Sequence, residues 1–173
     1  KINVSFRSGR ITERFLNISG AYTRNYSYLG SNSIMVSDYN ASQKILLLNR
    51  DNASLTGNVS SFINPILSTL KLNCSMFSSK YQNIINESEL RKVQGLYLDY
   101  GFELRSGFKG IFNFHLGTKW NNYSVYSTYS SSITNNISFI NLFFVFNKKI
   151  DFAVQTERYF IGKESSKNNE YYF

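Results

Sequence analysis

The stretch from Gln94 to Arg105, QGLYLDYGFELR, alternates apolar and polar side chains over an unusual length. Its even-numbered positions from Leu96 to Leu104 are apolar, and its odd-numbered positions include Asp99 and Glu103. An alternation of period two is the signature of a β-strand, and most strands of globular proteins end after about five to six residues. The stretch therefore predicts a long strand with one apolar and one polar face.

The next segment repeats the pattern, with apolar residues at even-numbered positions from Phe112 to Trp120, so the two segments predict a hairpin. Apolar residues lie opposite apolar residues across a ladder, and in both segments they have even residue numbers. The two residue numbers of every pair must therefore sum to an even number. A five-residue loop would set Glu103 opposite Asn113. A three-residue loop would set Asp99 opposite Lys119 and Glu103 opposite His115. The three-residue loop is favoured because it places opposite charges across the ladder.

Similar alternation elsewhere predicts about nine long antiparallel strands in a single domain, residues 1–173. Ile140–Phe146 and Ile150–Val154 form a second predicted hairpin around a three-residue turn, Asn147-Lys148-Lys149. Leu70–Met76 is a strand entered through a turn near Asn64-Pro65, and Leu16–Tyr22 is another. The fold class is therefore all-β.

The predicted connections are of two kinds, which alternate along the chain. Short turns are expected near Ser8–Arg10, Ile63–Ser68, Ser106–Gly110 and Asn147–Lys149, and longer polar loops near Leu29–Asn40, Ile84–Val93, Tyr129–Asn135 and Gly162–Asn169. Short turns at one end and long loops at the other are typical of outer-membrane barrels.

Strand length favours a transmembrane antiparallel β-barrel over a soluble sheet. A strand tilted by about 45° climbs roughly 2.3 Å per residue, so Phe112–Trp120 covers about 19 Å of an apolar band roughly 25 Å tall. Tyr123, Tyr126 and Tyr129 then form part of an interfacial aromatic girdle. The polar face suits a wet lumen, and its candidate lumen-facing residues are Asp99, Glu103, Arg105, His115, Lys119, Gln155 and Glu157.

Several function classes lack support in the sequence. The net charge is +8, but the basic residues are scattered and form no stripe that would bind nucleic acid. The chain has one cysteine, Cys74, and one histidine, His115, which argues against a metal site or a catalytic triad. Asp99 and Glu103 lie about 13 Å apart along one strand, too far for paired-carboxylate catalysis. We therefore expect no enzyme activity, no catalytic residue, no metal and no cofactor.

Several segments resemble the C-terminal barrel strands of Bacteroidetes TonB-dependent receptors, in particular those that begin with a carboxypeptidase-like regulatory domain. The segments are Leu70–Asn73, Ser79–Ile84, Ser88–Arg91, Tyr100–Ser106, Phe108–Asn113, Asp151–Phe160 and Tyr171–Phe173. The resemblance implies a 22-stranded barrel of the bacterial outer membrane, closed around a plug domain, that imports a large ligand with energy from TonB. It also implies partners: outer-membrane lipid, the rest of the barrel and its plug, TonB and surface lipoproteins. The chain departs from this family in lacking the plug and more than half of the strands, so we expect either part of a larger barrel or a barrel assembled from several chains.

Two other functions remain open at this stage. A self-contained outer-membrane barrel of eight to ten strands, acting as a pore or a structural part of a larger complex, would pair Ile2–Phe6 with Tyr171–Phe173. A soluble all-β adhesion module would bury the same apolar residues in a core.

Overall fold

The computed structural model describes residues 1–10, 14–86, 89–107, 110–146, 150–163 and 166–172. They form nine strands and one 3-10 turn, as the alternation predicts. The strands are β1 (Ile2–Arg10), β2 (Arg14–Val36), β3 (Tyr39–Ile63), β4 (Ser68–Ile85), β5 (Arg91–Ser106), β6 (Phe112–Tyr126), β7 (Ser131–Phe146), β8 (Ile150–Lys163) and β9 (Ser166–Tyr172), and the 3-10 turn is Asn64–Ile66. This turn lies where Asn64-Pro65 predicts a connection. Within these ranges, the structure contains no helix of a length and hydropathy suited to crossing a membrane.

All nine strands belong to one antiparallel sheet, in which spatial order follows chain order from β1 to β9. The all-β, antiparallel prediction is therefore confirmed. The sheet is open: within the described residues, β1 pairs with β2 alone and β9 with β8 alone. The pairing of Ile2–Phe6 with the last strand, which a self-contained barrel requires, does not form.

The register gives the sheet one apolar and one polar face. The apolar face carries a continuous run from each of seven neighbouring strands: Leu16–Tyr22, Ala53–Val59, Leu70–Met76, Leu96–Leu104, Phe112–Trp120, Ile140–Phe146 and Phe152–Val154, at alternate positions of each. On β1, Ile2, Val4 and Phe6 extend it. Between these residues, the intervening positions form the polar face, which carries charged side chains on β4, β5, β6 and β8 but is largely apolar on β7, where it includes Ile137, Phe139 and Val145.

Nothing in the described part of the chain covers the apolar face. Only Leu47 and Val93 are buried hydrophobic residues, and both lie outside the apolar runs. In contrast, Phe6 is 57% exposed, Ile140 52% and Phe152 57%. A single-layer sheet has no interior of its own, so its apolar face must be covered by something else.

The β5–β6 register differs from both predicted loops. Its parity is even, as expected, but Asp99 lies opposite Asn121 and Glu103 opposite Gly117, which is two residues away from the favoured pairing. The ladder stops at Arg105, and beyond it the Ser106 Oγ accepts from the Phe114 N–H at 3.0 Å. The connection is also bonded to other parts of the chain. The Gly107 N–H donates to the Leu67 carbonyl at 2.7 Å, and the Ile111 carbonyl accepts from the N–H of a β7 residue.

Most of the predicted long loops are strands. β2 and β3 pair up to Val36 and Tyr39, which leaves a two-residue turn where a loop over Leu29–Asn40 is predicted. In the same way, β7 begins at Ser131 and β8 extends to Lys163, which shortens the loops predicted at Tyr129–Asn135 and Gly162–Asn169. These predictions are wrong because a strand is held to its neighbour by backbone hydrogen bonds. A polar segment can form these bonds even though it shows no apolar alternation. The difference in loop length between the two ends is therefore not observed.

Three other predicted connections agree with the structure to different extents. The turn predicted near Ser8–Arg10 is wrong, because these residues belong to β1; residues 11–13, which follow, lie outside the described residues. The connection over Ile84–Val93 is found, shortened to the residues between Ile85 and Arg91, of which 87 and 88 are not described. The predicted turn Asn147-Lys148-Lys149 also lies outside the described residues. The flanking pair of Phe146 with Ile150 leaves three residues for it, as predicted.

Two glycines on the polar face relieve crowding between strands. A Cβ at Gly101 would lie 2.6 Å from the carbonyl oxygen of Thr118, and a Cβ at Gly117 would lie 2.7 Å from that of Phe102. Distances below 3.0 Å to backbone atoms require the strands themselves to move. Glycine in a strand interior often marks a place where another backbone approaches closely, and both residues fit this rule.

We expect Gly117→Ala to lower the free energy of unfolding by about 1–3 kcal/mol, as overpacking does. The matched control is Gly95→Ala. Gly95 lies on β5 and, like Gly117, on the polar face, but an added Cβ there meets no atom within 4 Å. This control should be neutral or stabilising by up to about 1 kcal/mol, because alanine restricts the unfolded chain. Urea unfolding of both variants measures the difference. Equal effects would contradict the crowding.

Candidate functional site

The seven residues predicted to face a lumen all lie on the polar face, but they do not form one cluster. Glu103, His115 and Lys119 come together across β5 and β6. Asp99 has other partners. Arg105 lies opposite His115 at the end of the ladder. Gln155 and Glu157 lie on β8, three strands away from β5, and Glu157 accepts a hydrogen bond from the Tyr159 hydroxyl at 2.5 Å.

Glu103 forms the centre of the first group. Its Oε1 lies 3.5 Å from the Lys119 Nζ, and its Oε2 lies 3.5 Å from the His115 Nε2. Lys119 and His115 flank Gly117, the residue opposite Glu103, so both contacts are diagonal ones. Long side chains reach diagonal neighbours across an antiparallel pair. The predicted contact of Glu103 with His115 is therefore present, although it is diagonal, whereas Lys119 contacts Glu103 in place of Asp99.

Asp99 is held by amide and phenol groups. The Asn73 Nδ2 donates to its Oδ1 at 3.3 Å, and the Tyr97 hydroxyl lies 3.4 Å from its Oδ2. Tyr97 also donates to the Asn121 Oδ1 at 2.8 Å. The predicted pairing of Asp99 with Lys119 is wrong, because the register sets Asn121 opposite Asp99.

A groove of about 400 Å³ adjoins Glu103 and Lys119. Phe15, Asn58 and Lys71 also line it, and Lys71 lies directly opposite Glu103 on the neighbouring strand. Sequence reasoning missed these residues because they come from β2, β3 and β4, whose lateral order depends on long-range pairing. The alternation on each strand could have indicated that these residues share a face, since it places all three at positions of the polar face.

The residues of the predicted aromatic girdle do not all share a face. Trp120 and Tyr126 lie on the apolar face, and the Trp120 ring stacks on that of Tyr100 with 6.5 Å between the ring centroids. Tyr123, however, lies on the polar face opposite Tyr97, and Tyr129 lies in the turn before β7 and is 83% exposed. The three tyrosines do not share a face because 123 and 126 differ in parity.

The polar face offers hydrogen bonds and charges, and no constellation typical of a metal or a nucleophile. Among the described residues, no three His, Cys, Asp or Glu side chains are close enough to hold a metal ion. Comparison of the chain with models of protein families, with curated proteins and with solved structures found no match. The case for a function therefore depends on the sheet itself.

The Glu103–Lys119 contact can be measured with a double-mutant cycle. We expect Glu103→Gln and Lys119→Met to be coupled by about 0.2–1 kcal/mol, as in other partly exposed ion pairs, and less so in 1 M salt. The matched cycle combines Lys119→Met with Asp99→Asn and should show no coupling, because Asp99 bonds to Asn73 and Tyr97. Coupling of Lys119 to Asp99 alone would instead support the register with a three-residue loop.

Proposed function

We propose that this sheet is part of the wall of an outer-membrane β-barrel, with its apolar face against lipid and its polar face toward the lumen. The observation that carries the proposal is the exposed apolar face, which extends over seven neighbouring strands of a single-layer sheet. Transmembrane barrels alternate apolar residues outward and polar residues inward along every strand.

The distribution of charge supports lipid on the apolar face. Within the apolar runs, the described positions of that face carry no charged residue, and the charges begin just beyond the runs. Arg14 precedes the run of β2, Arg24 follows it, and Lys80 follows the run of β4. A charge on the lipid side of a barrel costs about 2–4 kcal/mol at the bilayer midplane and little near the interfaces. This is the distribution that lipid requires.

The register also supports a tilt suited to a membrane. On β2 the run ends at Tyr22, and five successive pairings connect Tyr22 to Ser132 on β7. The run of β7 begins eight residues further along, at Ile140. Eight residues at about 3.3 Å each correspond to ~26 Å along the strands, and five strand spacings of about 4.8 Å correspond to ~24 Å across the sheet. The edge of the apolar region therefore moves along the strands about as far as it moves across them. The region forms a level belt only if the strands lean by about 45°, the inclination of transmembrane barrels.

The polar face fits a lumen. At the same level as the apolar runs it carries Lys71, Asp99, Glu103, Lys119 and Glu157, of which Glu103 pairs with Lys119, and on β7 it also carries Phe139 and Val145. In a soluble two-layer sheet, one face is buried against a second layer. The described residues supply no such layer. A soluble adhesion module would therefore need a partner over its whole apolar face.

The two free edges favour a larger barrel over a self-contained one. In lipid, every unpaired backbone group costs several kcal/mol, so β1 and β9 need neighbouring strands. We propose that these belong to a 22-stranded TonB-dependent receptor that imports a large ligand, with TonB and surface lipoproteins as partners. This finer assignment rests on the resemblance of segments such as Leu70–Asn73 and Tyr100–Ser106 to that family.

Trp120, the one tryptophan of the chain, allows a direct test of lipid contact. It lies on the apolar face at the end of its run, and its side chain is half-buried. We expect the fluorescence of the protein reconstituted in bilayers to be quenched by lipids with brominated acyl chains. Bromines near the headgroups should quench more strongly than bromines at the midplane, because Trp prefers the interface.

The control for this experiment moves the indole to the opposite face. In Trp120→Phe combined with Tyr123→Trp, the new tryptophan lies on the polar face, and we expect only weak quenching. Equal quenching of the two proteins, or none in the wild type, would contradict the orientation. A protein that stays monomeric in buffer without detergent would favour the soluble module.

The coding sequence upstream of Lys1 tests the receptor assignment separately. We expect it to encode a plug domain and further alternating segments, since both edges of the sheet need neighbours in lipid. A signal peptide followed directly by Lys1 would contradict the larger barrel and leave assembly from several chains.

A further inference from the structure

The β2–β3 hairpin changes direction above the apolar runs. Asn49 has a left-handed backbone, with φ 60°, and the β3–β4 ladder ends close to it, at the pair of Asp51 with Lys80. Beyond this point β2 approaches β4 in parallel orientation, with Asn32 opposite Ile84. The hairpin therefore leans over the end of β4 and encloses a groove of about 300 Å³ at its base.

Tyr28 fixes the hairpin in this position. Its hydroxyl donates to the Gln82 carbonyl at 2.6 Å and accepts from the Gln82 N–H at 2.7 Å. A phenol can do both at once, so it satisfies the backbone groups of β4 where the β3 ladder has ended. The groove is thus built by a defined contact between distant parts of the chain.

Arg50 lies in this groove between aromatic rings. Its Cζ is 5.9 Å from the ring centroid of Tyr28 and 6.0 Å from that of Tyr81, within the range of cation–π attraction. Its Nε is enclosed and has no hydrogen-bond partner among the described residues. The two rings position the guanidinium while leaving its Nε–H without an acceptor, which is costly for a buried polar group.

The groove has an excess of positive charge. Lys44 also lines it, together with Gln82 and Asn83, and none of the described lining residues is acidic. The nearest carboxylate in sequence, Asp51, contacts Tyr22 and Arg24 instead, with 3.6 Å between its Oδ1 and the Arg24 Nε. The groove beside Lys119 differs, because it contains a carboxylate, Glu103, next to its two lysines, Lys71 and Lys119.

We propose that this groove binds an anionic group, a carboxylate or a phosphate, carried by a small polar ligand. Arg50 supplies a planar set of donors that matches either oxyanion, and Lys44 adds a second charge. Gln82 and Asn83 add polar residues to the lining, with the Asn83 Oδ1 itself accepting from the Arg91 Nε at 3.3 Å. A volume of about 300 Å³ suits a single small-molecule unit. The proposal does not depend on whether the sheet lies in a membrane.

The experiment titrates the complete chain with three probes by calorimetry: inorganic phosphate, glucuronate and the neutral sugar glucose. We expect binding of at least one anion and no binding of glucose. Phosphate alone would indicate a phosphate ligand, and glucuronate alone a sugar acid. Arg50→Met should weaken binding about tenfold or more, because a charge-assisted, planar contact is lost.

The matched control is Arg24→Met. Arg24 lies on the same hairpin and also beside a tyrosine ring, at 5.7 Å from Tyr26, but its charge is paired with Asp51. This variant should change affinity by less than about twofold, the residual effect of one screened charge. If Arg50→Met does not fold, the exposed Lys44→Met carries the test, with a loss of about threefold or more. Equal losses in the Arg24 variant, equal binding of glucose, or no anion binding up to about 50 mM would overturn the proposal.

Discussion

A single-layer sheet with one apolar face depends on whatever covers that face. Here the antiparallel register brings the apolar positions of seven neighbouring strands together, and the described residues provide no second layer. The hydrophobic effect, which usually stabilises a fold from inside, must then act between the sheet and its surroundings. This constraint explains why the charged residues of the apolar face lie outside its apolar runs. It is also the reason that we propose a lipid bilayer as the surroundings of this face.

The polar face follows from the same register. Once alternate residues point away from the apolar side, Glu103, His115 and Lys119 must share the other side, and Glu103 lies 3.5 Å from each of the other two. The glycines at 101 and 117 make room for this crowding, since an added Cβ there would meet backbone oxygens. The groove at the base of the β2–β3 hairpin is different. It arises where the ladder between β3 and β4 ends and Tyr28 replaces the missing backbone partner.

Prediction from sequence succeeded where residues alternate in hydropathy and failed where they do not. The strand at Gln94–Arg105 and the assignment of Asp99 and Glu103 to one face are confirmed because period two is a local property. The hairpin tip at Leu29–Asn40 was predicted as a loop because polar strands resemble loops in composition. The loop between β5 and β6 was predicted two residues out of register, because its backbone groups bond to Leu67 and to β7, which are distant in sequence.

The sequence by itself determined that the chain is all-β, that it has about nine strands and which residues of each strand share a face, since these follow from neighbouring residues. Only the tertiary structure decided that the sheet is open, that Glu103 pairs diagonally with Lys119 and that Arg50 lies between Tyr28 and Tyr81. These features depend on which strands lie side by side and in what register. Long-range backbone hydrogen bonds set both, and alternation along one strand contains no record of them.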